Sequence, residues 1–322
     1  MMRTTYKTKT WTSLWTVYIL WGSTYFGIAI AVKTMPALLS MGIRFTTAAI
    51  LLAGAILVKK GFSEFRIPRR EIVSAGSFGA LRLGVGLGAL ALAEKTVPSG
   101  VAALIFCCLP LWVSLFRTIS GDKPSALTML GIAVGFAGVA VLLKPGQVTA
   151  IEGSNHLRLW FWIAVVLFGN FCWAVGTFLA PKFPMPKNSF ISTFYEMLFG
   201  GMFLFIFGLF AGERFSSFSN SSSASWFAIL YLAVFGSIVG YSAFVWLVAN
   251  VPVSLTTTYV YVNPVIAVLL GTIFLKETFH LSELMGGTVV LVGVILVVIS
   301  ESKRVNAKNG TANPQELLTR DT

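Results

Sequence analysis

Charge is scarce in this 322-residue chain: Asp, Glu, Lys and Arg make up 11% of it, against about 25% in a soluble domain. Apolar residues reach 56%, which excludes an ordinary soluble enzyme or nucleic-acid-binding domain, even though the formal net charge is +12. Three cysteines, two of them adjacent (Cys107 and Cys108) and all in apolar runs, make no disulfide framework. The phosphate-loop pattern G-x-x-x-x-G-K-[ST] is missing, so the chain carries no ATP-driven engine of that type. The two histidines, His156 and His280, lie in connections and join no metal-ligand or triad pattern. No metal site, cofactor or enzymatic activity is expected.

What the chain has instead is long apolar runs. A bilayer core needs about 20 apolar residues per helix, and ten such stretches are legible: 12–32, 38–58, 72–93, 98–117, 125–143, 159–180, 189–210, 226–248, 253–274 and 281–300. Strand alternation is absent, and lipid leaves no water to satisfy an open backbone, so these are helices. Ala29-Ile30-Ala31 mimics a leader cleavage site, but the first run is of full span length. Sixteen of the 24 basic residues fall on the side of the termini and six on the other, with Arg44 and Arg82 inside spans. That bias predicts both termini in the cytoplasm. The segment Lys59, Lys60, Arg66, Arg69, Arg70 is the chief topology signal and a contact for anionic lipid, not for nucleic acid. Ser216 to Ser225 reads as a flexible outer loop, and the tail from Glu301 as disordered.

The punctuation repeats. A shift of 154 lays Pro98 and Pro110 on Pro252 and Pro264. A shift of 155 lays Gly131 and Gly138 on Gly286 and Gly293, and one of 152 lays Trp21 on Trp173 and Arg44 on Glu196. Five spans per copy is an odd number, so the second copy crosses in the opposite sense. The expected architecture is an all-α integral membrane protein of ten transmembrane helices, an inverted repeat of two five-helix units. Its parts are an N-terminal tail (1–11), a first repeat (12–143), a linker (144–158), a second repeat (159–300) and a C-terminal tail (301–322).

Three charged residues lie well inside spans: Arg44, Arg82 and Glu196. Such residues are functional candidates by default. Arg82 and Glu196 share a similar depth, so Arg82 either pairs with Glu196 or receives an anionic substrate group. Glu196 reads as the only intramembrane carboxylate, hence as the candidate for proton coupling, or else as half of a structural pair. Pro110 and Pro264 interrupt equivalent spans and free backbone carbonyls. They serve as packing kinks or as hinges beside a cavity. Trp21, Tyr25, Trp173 and Tyr259 are aromatic cavity candidates. Trp11, Trp15, Trp160, Trp162 and Trp226 near span ends read as interfacial anchors. Asn263, before Pro264, offers donor and acceptor either to a ligand or to the broken helix. Gly84-x-x-x-Gly88, Gly131-x-x-x-Gly135 and Gly236-x-x-x-Gly240 are helix-packing motifs.

Several of these stretches resemble an EamA-type transporter of the drug/metabolite transporter superfamily. The residues concerned are Trp21 to Phe26 (WGSTYF), Arg44-Phe45, Val97 to Leu104 (VPSGVAAL) through Leu109-Pro110-Leu111, Glu196-Met197, Tyr231 to Ser237 (YLAVFGS), and Tyr259 to Gly271 (YVYVNPVIAVLLG) with Glu277-Thr278. The resemblance runs from about residue 12 to residue 300. It implies a central cavity lined by spans 3, 4, 8 and 9 with help from 1 and 6. It also implies secondary transport of small metabolites, often amino acids or related compounds and frequently outward. Arg82 departs from the small or apolar residue usual at its place in the family, so no substrate preference carries over. Two alternatives stay open on the residues: an exchanger of anionic or phosphorylated metabolites using Arg44 and Arg82, and a non-transporting scaffold. The partners are a small-molecule substrate and the lipid bilayer; no pattern fixes an oligomeric state.

Overall fold

A computed structural model describes residues 2–144, 148, 156–251, 256 and 258–310. Most of the 144–158 linker, Pro252 to Leu255 and the tail beyond Gly310 lie outside the described residues; the last helix runs on to Gly310, so the first ten residues of the tail are helical rather than disordered as expected, because they continue the helix of the preceding span. The described residues are helical with no strand. Eight helices are long and apolar enough to cross a bilayer: α1 (Thr8–Val32), α2 (Ala37–Lys60), α3 (Arg69–Ala93), α4 (Ser99–Ile119), α6 (Leu157–Lys182), α7 (Ser189–Phe210), α8 (Ser223–Leu247) and α10 (Leu281–Glu301). Two more, α5 (Ala126–Leu142) and α9 (Tyr259–Leu275), are apolar but shorter. Large apolar side chains such as Ile50, Phe207, Phe210, Phe227 and Phe274 cover the outside of the bundle. That is the expected inversion for a solvent of hydrocarbon chains. Trp11 and Trp15, each 54% exposed, and Trp226 sit on that outer surface near helix ends.

Helix pairing follows a simple rule. α2 packs on α7, α5 on α10, α3 on α6 and α7, α1 on α8 and α9, and α4 on α6 and α9. The α5–α10 seam is built on glycine. A Cβ on Gly138 would lie 2.5 Å from the Val290 backbone nitrogen, and one on Gly286 would overlap the backbone of Leu142. Only hydrogen side chains let the two backbones approach so closely. Gly131 and Gly135 face Gly293 in the same seam, as their spacing predicts.

Two helices are not regular. α3 passes through a π-helical stretch at Ala80–Gly86 and α8 through another at Leu232–Val239, 152 residues later. Widened turns of this kind leave carbonyls out of register with the usual ladder. α4 breaks at Cys107-Cys108 and restarts with Pro110 in its first turn, while Pro264 lies inside α9.

Polar residues fasten the two ends of the bundle. At one end, called the Glu277 end below, Glu277 accepts from Ser99 N (2.7 Å), Ser99 Oγ (2.8 Å) and Gly100 N (3.2 Å), capping α4. Glu213 caps α2 through Leu38 N and Leu39 N. At the opposite end Arg117 pairs with Asp122 and Glu301, and Glu64 holds the cap residue Asn188 of α7. The serine-rich segment 216–225 differs from its expectation. Phe215–Asn220 forms a 3-10 turn, and Ser222 caps α8 by accepting from Ser225 N. Thr34 bonds to Ser222 and Ser225. The physical reason is that serine is a helix cap as readily as a loop residue, and this run abuts the end of α1.

Candidate functional site

The centre of the bundle holds a cavity in two adjoining lobes of about 170 and 280 Å³. Trp21, Arg44, Trp173 and Tyr259 line both lobes. Tyr25, Asn263 and Pro264 line the smaller; Arg82, Glu196, Thr193, Tyr241 and Phe244 line the larger. All eight cavity candidates from the sequence thus converge on one space, supplied by every long helix except α10. The implied lining of spans 3, 4, 8, 9, 1 and 6 is extended by α2 (Arg44, Phe45) and α7 (Thr193, Glu196, Met197). Neither α5 nor α10 lines it.

Aromatic rings form the walls. Trp21 meets Tyr259 edge-on at 5.1 Å and Phe244 at 5.0 Å, and Phe106 bridges Tyr25 and Trp173. The indole of Trp21 donates to the Gly236 carbonyl at 3.1 Å, within the π-helical stretch of α8. The irregular stretch therefore fixes a cavity wall through one of its carbonyls. Trp112 instead packs against Phe136 and Phe171, outside the cavity.

The two intramembrane arginines have different surroundings. Arg82 Nη2 lies 2.7 Å from Glu196 Oε2, and Ser192 donates to Glu196 Oε1 at 3.0 Å. Arg44 is 4% exposed. It donates to Ser237 Oγ at 3.3 Å, approaches Met41 Sδ and stacks on Phe45 at 4.8 Å. No carboxylate pairs with it among the described residues. Arg44 and Glu196, symmetry mates in the sequence, do not pair.

The proline carbonyls are satisfied in part by a residue that composition does not flag. Pro110 frees the carbonyl four residues back, Phe106. Asn170 of α6, fully buried, donates to that carbonyl at 3.2 Å. Asn170 stands alone in an apolar run, Gly169-Asn170-Phe171-Cys172, and a lone amide at that depth needs a partner. That isolation is the signal that could have found it. Asn263 resolves toward the backbone: with its amide turned to satisfy both atoms, the nitrogen donates to the Tyr259 and Tyr18 carbonyls, tying α9 to α1.

Burial reaches a carboxylate outside the spans as well as Glu196. Glu94, one residue past α3, is 2% exposed. It follows Ala93 and precedes Lys95, so composition places it in a solvated connection; the fold instead removes both of its carboxylate oxygens from solvent.

A family model described as the EamA-like transporter family matches residues 12–144 and 160–299. The chain belongs to that family. Relatives of this EamA chain include the uncharacterized inner membrane transporter YedA of Escherichia coli K12, 36% identical over 90% of both chains. The uncharacterized transporter YvbV of Bacillus subtilis is 26% identical over 94% of this chain and 95% of its own. The chloroplastic WAT1-related protein At3g02690 of Arabidopsis is 24% identical over 90% and 70%. A crystal structure at 17% identity superposes on 93% of this chain and 99% of its own with a TM-score of 0.59, a likeness of fold. Together with the long apolar helices, membership makes this a multi-pass membrane protein of a transporter family rather than of an enzyme family.

Proposed function

We propose that this protein is a secondary transporter of small amphipathic or zwitterionic organic solutes, amino acids and related compounds foremost. The observation that carries the reading is Arg44: a buried guanidinium, without a carboxylate partner among the described residues, facing a cavity walled by Trp21, Tyr25, Trp173 and Tyr259. A substrate carboxylate completes its valence with charge-assisted hydrogen bonds. An ammonium group a few ångströms away rests against ring faces. Arg82 is already engaged by Glu196, which leaves Arg44 to meet the substrate and disfavours the multiply charged phosphates of the exchanger reading. Asn263 and the hinges Pro110 and Pro264 shape the wall and let it flex.

The mechanism is alternating access across an inverted repeat of ten spans, 12–143 and 159–300. Exchanging the two halves maps the α2–α7 and α5–α10 pairs onto themselves and α3–α6 onto α8–α1. It also maps one π-helical stretch onto the other. The basic bias puts both termini in the cytoplasm, and the likeness to YedA supports a bacterial-type inner membrane. Glu196, as the carboxylate of the cavity, is available for proton carriage. An unchanged pH dependence of flux in Glu196→Gln would remove it from that role.

Counterflow in proteoliposomes tests the reading. Vesicles loaded with unlabelled amino acids are expected to accumulate one labelled class above protein-free vesicles. Arg44→Ala loses about 10- to 100-fold of apparent affinity, the worth of a hydrogen bond to a charged group. Absence of counterflow for every amino acid with folded, reconstituted protein would overturn the substrate class and turn attention to phosphorylated metabolites.

A further inference from the structure

A second cavity of about 670 Å³ opens at the Glu277 end, lined by residues of the α1–α2 connection, Glu94, Lys95, Glu213 and Glu277. Three carboxylates meet there, and they are not alike. Both oxygens of Glu213 accept helix amides, and so do both oxygens of Glu277. Neither oxygen of Glu94 has a hydrogen-bond partner among the described residues, although its side chain is almost wholly buried. An ionised carboxylate stripped of water and given no donor is expensive, and a bound cation removes that cost.

The surrounding charges narrow the choice of cation. Arg44 and Tyr25 on the side of the central cavity, and Glu277 on the vestibule side, lie within Coulombic reach of Glu94. Lys33 and Lys95 share the vestibule. A metal cation needs about six oxygen ligands; Glu94 supplies two at most, and the other two carboxylates are oriented onto the helix amides they cap. Two lysines repel an organic ammonium. A proton needs one oxygen and no further ligand.

We propose that Glu94 is a proton-binding site of this protein, set between the Glu277-end vestibule and the central cavity. A proton from the aqueous phase bonds to one carboxylate oxygen, giving the neutral acid; release returns the carboxylate, whose negative charge then acts on Arg44 at the cavity wall. Proton occupancy is thereby tied to the guanidinium that receives the substrate. The tie to transport rests on the transporter reading; the protonation itself does not.

Infrared spectroscopy of the purified full-length protein in detergent reads the site without any substrate. The expected result is a protonated-carboxyl C=O band at neutral pH that disappears in Glu94→Gln and persists in Glu196→Gln. Glu94→Asp, which keeps the acid, retains the band at a shifted frequency and covers the case in which the Gln variant fails to fold. A band that survives in folded Glu94→Gln, or no band in the wild type, overturns the proposal. So does a band that responds to replacing sodium by choline, which would make the ligand a metal ion. In proteoliposomes, Glu94→Gln is expected to retain counterflow while losing the response of net flux to a pH gradient. Silent flux with the band intact would count against the transporter reading alone.

Discussion

The α5–α10 seam and the central cavity are built from opposite materials. The seam is glycine against backbone along α5 and α10, with polar contacts at its rim, where Ser125 and Thr128 meet Ser300 and Glu301. The cavity takes π-helical turns, interrupted helices and the intramembrane charges Arg44, Arg82 and Glu196. Contact without play suits a part that stays fixed. Irregular backbone suits a part that moves, because it already has hydrogen bonds to exchange. On the alternating-access reading proposed above, α3, α4, α8 and α9 carry the motion, while α5 and α10 hold the halves together.

The largest effect is expected at the seam. Gly286→Val puts a branched side chain onto the Leu142 backbone and should cost at least the about 1–3 kcal/mol typical of overpacking. Thermal unfolding in detergent should show a larger drop than the loss of any single hydrogen bond produces. A neutral result would mean that the seam gives way easily. On the cavity side, Glu196→Gln leaves Arg82 without its counter-charge. Fully buried pairs lose about 3–5 kcal/mol on such a change. The pair here borders a cavity and is about a fifth exposed, so about 1–2 kcal/mol is expected after screening. The double variant Arg82→Met/Glu196→Met should recover that stability while losing the pH dependence of flux; recovery of both would make the pair structural only.

Two smaller effects concern individual polar side chains. Asn170→Leu strips the donor from the Phe106 carbonyl and should cost about 1–3 kcal/mol, the penalty for an orphaned buried polar group. Chemical denaturation against wild type checks it. Ser125→Ala removes the cap of α5, where Ser125 accepts from Thr128 N at 3.1 Å. It should cost about 1 kcal/mol, visible as a shift of a few degrees in Tm and no change in flux.

Much of this was readable in the sequence, for physical reasons. Bilayer thickness fixes span length, so the apolar runs were legible, and α5 lies within its run between the caps Ser125 and Leu143. Trp21, Arg82, Trp173 and Glu196 stood out because polar and aromatic groups at depth are costly or conspicuous. Glu94 was hidden because a carboxylate beside a lysine at a helix end looks solvated, and only its burial in the folded chain shows otherwise. The π-helical stretches were hidden because these spans are apolar on nearly every face, so the shift of register that an extra residue makes has no one-sided pattern to disturb. The serine run was misjudged because the same residue type serves loops and caps.

Spin-label distances separate the fixed part from the moving one. One pair, Met129→Cys and Ile299→Cys, spans the seam at exposed positions; the other, Lys95→Cys and Ser217→Cys, spans the Glu277-end vestibule. The native cysteines Cys107, Cys108 and Cys172 are buried and leave the labels specific. The expected result is one narrow distance across the seam under all conditions and two populations across the vestibule whose ratio shifts with the counterflow substrate. A seam distance that moves, or a vestibule distance that stays single, would contradict alternating access about a fixed α5–α10 seam.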